Sequence, residues 1–196
     1  MTTPFSGKLT IKGDYYAFGL GQFSQNKYVY YHCDCITKIH KWGTVELIPA
    51  SAFGGILNTM IGLNFPKDIV IPSTIKSIGD YAFANSGLTT INSQGDFDIG
   101  LYAFSNRYNL TTVNFPNITS IGDNAFHNCR KLDMTNIFCE GLTVIGNNAF
   151  TMVYDSSGGF TDVAMYNKSI TLPSTITKIG DFAFAYRTTN SNGNYI

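Results

Sequence analysis

Apolar and polar residues alternate in short runs along the chain, and many of these runs end at a proline or a glycine. In the stretch LTTVNFPNITSI, Val113 and Phe115 flank the polar Asn114. This period of two predicts a short strand whose side chains face the core and the solvent in turn. Pro116 ends the strand, because proline has no amide hydrogen to donate to a sheet. A second extended piece, Ile118 to Ile121, follows it.

A six-residue motif, here called the hexad, follows these runs and recurs along the chain. Copies that read Ile-Gly-x-x-Ala-Phe span Ile78–Phe83, Ile99–Phe104, Ile121–Phe126, Ile145–Phe150 and Ile179–Phe184, and Ile48–Phe53 has proline in place of the glycine. Lys12–Phe18 is a looser copy with one extra residue. The phenylalanines of the central copies lie 21 to 24 residues apart, and those of the outer copies 30 to 35. This period predicts a solenoid with insertions towards both ends.

The residues of one repeat predict the path of one coil. We expect Gly122 to make a turn at positive φ, and the carboxylate of Asp123 to cap a single helical turn after it. Phe126 would enter the core from that turn. A single coil cannot bury its apolar row, so the coils are expected to stack on a shared core. Strands of neighbouring coils would then pair in parallel, about 4.8 Å apart.

The pattern I-P-x-x-I-x-x-I-G-x-x-A-F-x-x-C-x-x-L resembles the BspA-type leucine-rich repeat. IPSTIKSIGDYAFANSGL and SIGDNAFHNCRKL match it closely, and the likeness covers roughly Val45 to Phe184. It implies a leucine-rich-repeat solenoid: a right-handed, parallel, β-solenoid-like stack of about six to seven coils, with short strands and single helical or 3-10 turns. We therefore divide the chain into an irregular N-terminal cap or divergent first repeat, residues 1–44, and the solenoid, residues 45–196.

The resemblance also implies a function. Related proteins are exposed on cell surfaces and bind host matrix proteins or other cells. We therefore expect a non-enzymatic protein- or glycan-binding module, at the cell surface or outside the cell. The N-terminal MTTPFSGKLTIKGDYY has no basic segment followed by an apolar run, so it shows no signal peptide. This favours the alternative, a structural component of a larger assembly (a virion decoration, a fibre or a homo-oligomer) in the cytosol or in a virion.

Composition narrows the classes of partner. Charged residues make up 13% of the chain, and the formal net charge is +0. The chain therefore lacks the long-range attraction that nucleic acid or an anionic membrane surface requires. No run of about 18 apolar residues occurs, so no membrane span is predicted. We expect a protein or glycan ligand and no nucleic acid, since a neutral surface of hydroxyls and amides suits uncharged groups.

Two groups of residues have the types found in metal sites. The third hexad position holds Asp80, Leu101, Asp123, Asn147 and Asp181. A calcium ion needs six or more oxygen ligands, and turn capping explains the same side chains without a metal. The HCDC stretch, residues 32–35, resembles half of a zinc site, but no second pair of ligands lies at a suitable spacing.

Catalytic chemistry has little support in the sequence. The four cysteines are too sparse for a disulfide framework, and we expect free thiols at Cys33, Cys35, Cys129 and Cys139. The three histidines are scattered, and neither a G-x-S-x-G nor an H-E-x-x-H motif is present. We therefore expect no catalytic residues, no metal and no cofactor.

The remaining candidates are surfaces. Stacking would form one outward column from Asn92, Asn114, Asn136 and Thr171, and a neighbouring one from Thr90, Thr112 and Met134. The side chains of such a face either recognise a protein or glycan, or only hydrogen-bond to one another from coil to coil and keep the face solvated. The insertion Thr151–Ser169 adds aromatic side chains that favour interfaces, namely Tyr154, Phe160 and Tyr166. We also expect self-association through the exposed C-terminal coil, because no amphipathic capping element follows Phe184.

Overall fold

The structure, a computed structural model, describes residues 46–54, 67–155 and 169–189. These residues form short strands of two to four residues: β1 (Leu47–Ile48), β2 (Asp68–Ile71), β3 (Ser77–Ile78), β4 (Thr90–Ser93), β5 (Phe97–Ile99), β6 (Thr112–Asn114), β7 (Ile118–Ile121), β8 (Val144–Ile145), β9 (Met152–Asp155), β10 (Lys178–Ile179) and β11 (Tyr186–Thr189). The predicted cap, residues 1–44, lies outside the described residues, so the boundary at residue 45 stays a prediction.

The strands pair in parallel and form three sheets. Six strands form one sheet in the order β1-β3-β5-β7-β8-β10, three form a second in the order β2-β4-β6, and β9 pairs with β11. Each strand of the six-stranded sheet ends at the first residue of a hexad. The described residues therefore form six stacked coils, which we number 1 to 6 by their hexads. This architecture confirms the predicted leucine-rich-repeat solenoid.

A column of aromatic rings runs through the core. The phenylalanines that close the six hexads stack in order: Phe53, Phe83, Phe104, Phe126, Phe150 and Phe184. Neighbouring ring centroids are 5.1 to 5.4 Å apart. Each interior ring is buried because the coils on both sides cover its faces. The packing therefore explains why one coil cannot hold this core alone.

The turns between strands are bonded from coil to coil, as the strands are. The Gly122 amide donates to the Ile99 carbonyl of the preceding coil at 2.8 Å. The Phe104 amide donates to the Ala125 carbonyl of the following coil, also at 2.8 Å. These bonds satisfy backbone groups that the short strands leave unpaired. The hexads therefore continue the ladder of hydrogen bonds between neighbouring coils beyond the ends of the strands.

Gly122 does not have the predicted positive φ. In the turn closed by the bond from the Ala125 amide to the Gly122 carbonyl, the positive φ falls on Asn124, at 55°. That is the position at which a type II turn requires it. A Cβ on Gly122 would lie 2.8 Å from the carbonyl carbon of Gly100 in the coil below. Close approach of two backbones, rather than the turn itself, therefore excludes a side chain at this position.

The predicted capping role of Asp123 was also wrong. The described hexads form turns rather than helix, and the carboxylate reaches the next coil. Asp123 Oδ1 accepts from the Asn147 amide at 2.7 Å, and Oδ2 accepts from Asn147 Nδ2 at 3.2 Å. Asp80 Oδ1 accepts from the Leu101 amide in the same way, at 2.8 Å. The third hexad position therefore links one coil to the next.

Candidate binding surfaces

The three-stranded sheet turns one side to the core and the other to solvent. Its core side is apolar and buried, with Ile69, Ile91 and Val113 in register. On the solvent side, Thr90 pairs with Thr112 and Asn92 with Asn114. The side chains on β6 are exposed and those on β4 partly exposed. These four residues form a flat outward surface, the strand face, and their role in binding stays a prediction.

Hydroxyls just before these strands are used to hold the coils together. The Thr111 side chain donates to the Thr89 carbonyl at 3.1 Å, and the Thr89 side chain donates to the Lys67 carbonyl at 3.2 Å. An equivalent pair lies beside the six-stranded sheet, where Thr143 donates to Thr119 and Thr177 to Thr143, each at 3.1 Å. Some threonine columns on this fold therefore hold neighbouring coils together, so a column of threonines does not by itself indicate a binding surface.

Met134 does not belong to the outward column in which we predicted it. Its side chain is only 6% exposed and packs in the core. Asp133, one residue earlier, bridges to Thr112 instead. Coil 5 has no strand here beyond this single bridge, because residues 135–137 form a turn. The equal spacing of residues 90, 112 and 134 misled the prediction, since the coil shifts its register by one residue at this point.

The other predicted members of these columns lie outside the sheet. Asn136 is exposed in the turn of coil 5, and its carbonyl accepts from the Phe115 amide of coil 4 at 3.3 Å. Thr171 is exposed in coil 6, in a segment without strand structure. Tyr154 lies in β9, paired with Thr188 of β11. Phe160 and Tyr166 lie outside the described residues, so their part in an interface stays a prediction.

Sequence reasoning missed a second column, at the fourth position of the hexads. Its six residues, Ser51, Tyr81, Tyr102, Asn124, Asn148 and Phe182, all have φ between 53° and 57°. Asparagine tolerates this conformation, whereas a bulky side chain in it is strained by about 1–3 kcal/mol. The sequence does indicate this column, because the motifs IGDYAF, IGLYAF and IGDFAF each place an aromatic residue directly before the recurring Ala-Phe pair.

The two tyrosines of this column form a stacked pair at the surface. Their ring centroids are 5.0 Å apart and their planes differ by 11°. Tyr81 is 42% exposed. Partial burial, followed by the neighbouring Tyr102 and the Asp80 carboxylate, raises the pKa of the Tyr81 hydroxyl above its ordinary value.

Coil 6 exposes the first residue of its hexad, which the other described coils bury, and exposes its fourth residue more than coil 2 does. Ile179 is 47% exposed and Phe182 62% exposed, whereas Ile121 in coil 4 is 1% exposed. The Arg187 guanidinium lies over the Phe182 ring, with Cζ 4.1 Å from the centroid. No later coil lies within the described residues, so this face of coil 6 carries apolar groups that a further coil or a partner could cover.

Two buried polar residues of the described chain, Cys129 and Arg107, bond to backbone carbonyls in the core. Cys129 Sγ donates to the Phe104 carbonyl at 3.1 Å, and complete burial raises the pKa of its thiol to about 12. Arg107, also in the core, donates to the Phe83 carbonyl, and burial lowers its pKa to about 9. A thiol with so high a pKa stays protonated near neutral pH and is a poor nucleophile. Cys129 and Cys139 are free thiols as predicted, while Cys33 and Cys35 lie outside the described residues.

Side chains of the types that bind metal ions are dispersed over the described part of the chain. No three His, Cys, Asp or Glu side chains among those residues come together as a group that could hold an ion. At the third hexad position, Asp80, Asp123 and Asn147 accept backbone amides of the next coil. The HCDC stretch at residues 32–35 lies outside the described residues.

Comparison with known proteins identifies the repeat. The model of the BspA type leucine rich repeat region matches in six copies, over residues 24–155 and 158–193. A search of curated proteins and a search of solved structures each gave no match. The family match covers most of the chain and agrees with the stacked hexads.

Proposed function

The chain belongs to the BspA-type leucine-rich-repeat family, and from this premise we propose that it is a non-enzymatic binding module for a protein or glycan. Repeats of this family are interaction modules, and stacked coils offer a long surface on which several residues contact a ligand together. An adhesive role at the cell surface follows from the resemblance of the hexads to surface-exposed relatives. No helix among the described residues is long and apolar enough to cross a membrane.

The observation that carries this proposal is the strand face. The pairs Thr90–Thr112 and Asn92–Asn114 are in register on the solvent side of a parallel sheet. Their hydroxyl and amide groups can both donate and accept hydrogen bonds. The coil directly before them adds Asp68 and the exposed Val70 to the same columns. Polar groups around an apolar side chain are typical of the anatomy of a binding interface.

A screen against matrix proteins and glycans tests the role of the strand face. The test variant carries Asn92→Ala and Asn114→Ala, and we expect it to lose at least about tenfold in affinity for any ligand found, because two amides facing the ligand are removed. The matched control carries Thr143→Ala and Thr177→Ala, which removes a threonine column beside the other sheet. Equal binding by the strand-face variant and the wild type would reject this surface.

A second candidate is self-association through coil 6, as expected of a structural component of a larger assembly. The exposed Ile179 and Phe182 support it, because their hexad already stacks on coil 5 and presents its other side to solvent. Light scattering after size exclusion should then give a dimer or larger species at high concentration. Ile179→Asp should shift it to a monomer. A wild-type monomer at all concentrations would contradict self-association.

A further inference from the structure

The described coils meet at five junctions, and each junction is made by the same three backbone bonds. The amide of the second hexad residue donates to the carbonyl of the first residue in the preceding hexad. In the opposite direction, the amides of the fourth and sixth residues donate to the carbonyls of the third and fifth residues in the following hexad. All of these bonds measure 2.7 to 3.0 Å. Each hexad therefore has one half of a junction on each of its two sides.

Coil 6 presents one half of a junction that no described residue completes. The Ile179 carbonyl and the amides of Phe182 and Phe184 stand where bonded groups stand in coils 1 to 5, yet none of them bonds to a described residue. The carboxylate of Asp181 is also unbonded within the described chain, whereas the equivalent Asp123 accepts the amide of the following coil. We call Ile179, Asp181, Phe182 and Phe184 the coil 6 surface.

The coil 6 surface exposes apolar side chains at positions that the other junctions bury. Ile179 is 47% exposed, whereas the first residue of every other described hexad is at most 2% exposed. Phe182 is 62% exposed. Unpaired backbone groups beside exposed apolar side chains form an open sheet edge, to which an extended segment of another chain can add. The coil 6 surface therefore continues an interface that the molecule already makes five times.

A segment that completes this junction must have glycine at the second hexad position. A Cβ at this position of coils 2 to 6 would lie within 2.4 to 2.8 Å of a backbone atom of the preceding coil. Backbone atoms cannot turn away as the end of a flexible side chain can, so a side chain is excluded here. The incoming residue must also have an amide hydrogen, because the Ile179 carbonyl needs a donor.

Coil 1 of a second copy does not meet these requirements. Its hexad has Pro49 at the second position, and proline carries a Cβ and has no amide hydrogen. Ile48 and Phe53 of the same hexad are at most 2% exposed, so coil 1 does not offer an open apolar side. Copies of this chain are therefore not expected to stack end to end, with coil 1 of one copy on coil 6 of the next.

We propose that the coil 6 surface binds a coil of another repeat protein, whose exposed hexad reads Ile-Gly-x-x-Ala-Phe. The glycine amide of that hexad donates to the Ile179 carbonyl, and its third and fifth carbonyls accept from the Phe182 and Phe184 amides. Its isoleucine and phenylalanine cover Ile179 and Phe184 as a following coil would. The main-chain bonds supply affinity, and the glycine supplies specificity. The inference rests on the interface role proposed above for coil 6 and names the chemistry of the partner.

Titration of the ¹⁵N-labelled full chain with a peptide of its own residues 119–127, acetyl-Thr-Ser-Ile-Gly-Asp-Asn-Ala-Phe-His-amide, tests the proposal. We expect saturable shifts at the coil 6 surface with a Kd on the order of 1 mM, because ordering a free peptide offsets much of the gain from its bonds. Hydrogen exchange at the Phe182 and Phe184 amides should slow at least about fivefold at saturation, since both amides gain an acceptor.

Two control peptides isolate the requirement for glycine. The same peptide with alanine in place of glycine should bind at least about tenfold more weakly, because its Cβ meets the backbone of coil 6. The peptide of residues 46–54, which contains the hexad of coil 1 with Pro49, should not bind measurably. The folded chain is the same in all three titrations, so no difference among them comes from its stability.

Three results would overturn the proposal. Equal binding of the glycine and alanine peptides would show that no junction of the type seen between coils is formed. Binding without slower exchange at Phe182 and Phe184 would place the peptide elsewhere on the molecule. Binding of the proline peptide as tight as that of the glycine peptide would remove the reason for excluding coil 1 of a second copy.

Light scattering of the same sample separates this proposal from those made above. A chain that is monomeric and still binds the glycine peptide would contradict self-association and support the present proposal. A dimer in which Phe182 and Phe184 are already protected, and which does not respond to the peptide, would do the reverse. The Asn92→Ala, Asn114→Ala variant should keep the response to the peptide, because the strand face lies on another part of the coil.

Discussion

Coils 4 and 6 contain nearly the same hexad, IGDNAF and IGDFAF, in two different surroundings. In coil 4, Ile121 is 1% exposed and the Asp123 carboxylate holds the amide of Asn147 in the next coil. In coil 6, the equivalent Ile179 is 47% exposed. Towards the preceding coil the two hexads are alike, since Gly122 and Gly180 both donate to an isoleucine carbonyl at 2.8 Å.

The difference teaches that the hexad has two sides with separate tasks. One side fits onto the coil before it and makes the same bond in coils 2 to 6, where the glycine amide donates to the isoleucine carbonyl of the preceding hexad. On the other side, the apolar groups are buried and the polar groups hydrogen-bonded only when a further coil covers them. The same residues are therefore core in coil 4 and candidate interface in coil 6, and substitutions at equivalent positions can measure this difference.

The largest expected effect comes from truncating the first residue of the hexad. Ile121→Ala should lower the free energy of unfolding by about 2–5 kcal/mol, because it leaves a cavity between three coils. Ile179→Ala removes a half-exposed side chain and should cost well under half as much. Urea unfolding followed by circular dichroism measures both. Similar losses in the two variants would mean that Ile179 is covered in solution, which would support self-association.

A clash between coils should come next in size. Gly122→Ala places a Cβ 2.8 Å from the backbone of Gly100, which cannot move aside as a side chain can, so we expect a loss of about 1–3 kcal/mol. Gly180→Ala meets the Asn147 amide nitrogen at 2.4 Å and should also destabilise, but mainly by detaching coil 6. Gly141→Ala is the control, since its nearest contact is 3.4 Å. Thermal melts that rank Gly141→Ala with the other two would contradict this account.

A smaller effect should follow the loss of the link between coils 4 and 5. Asp123→Ala removes the acceptor for the partly buried Asn147 amide and should cost about 1–2 kcal/mol. Asp123→Asn should cost less, because its Oδ1 can still accept this amide as Asn147 Oδ1 accepts the Asp181 amide at 2.8 Å, and only the bond from Asn147 Nδ2 is lost. Hydrogen exchange at the Asn147 amide gives the readout. Unchanged protection in Asp123→Ala would show that the side chain does not hold this bond.

The repeated hexad made much of the fold predictable. Five near-identical copies, none of which can bury its apolar residues alone, require neighbouring coils, so the stacking of coils on a shared core followed from the sequence. The roles of Gly122 and Asp123 did not follow, because both residues act on another coil. A turn and a contact between coils demand the same residue types, and only the positions of the neighbouring backbones distinguish them.

The candidate surfaces were predictable only where the register was constant. Thr90, Asn92, Thr112 and Asn114 lie where equal spacing predicts them, because β4 and β6 pair without a shift. Met134 does not, since the shifted register of coil 5 pairs Asp133 with Thr112 and buries the next residue. The column at the fourth hexad position was not predictable in the same way, because its residue type varies from coil to coil while its positive φ does not.

The smallest expected effect concerns the charge interaction between His127 of coil 4 and Arg187 of coil 6. Burial, followed by the positive charge of Arg187, lowers the pKa of His127 below its ordinary value of 6.5. Below about pH 6.5 the unfolded chain therefore binds a proton at His127 that the folded chain resists. Stability should fall as the pH drops through this window and be fully retained above it.

Urea midpoints at pH 5 and pH 7.5 should differ less in His127→Gln than in the wild type, and Arg187→Gln should lie between them. A difference unchanged in both variants would show that other groups cause the acid sensitivity and that coil 6 does not reach His127.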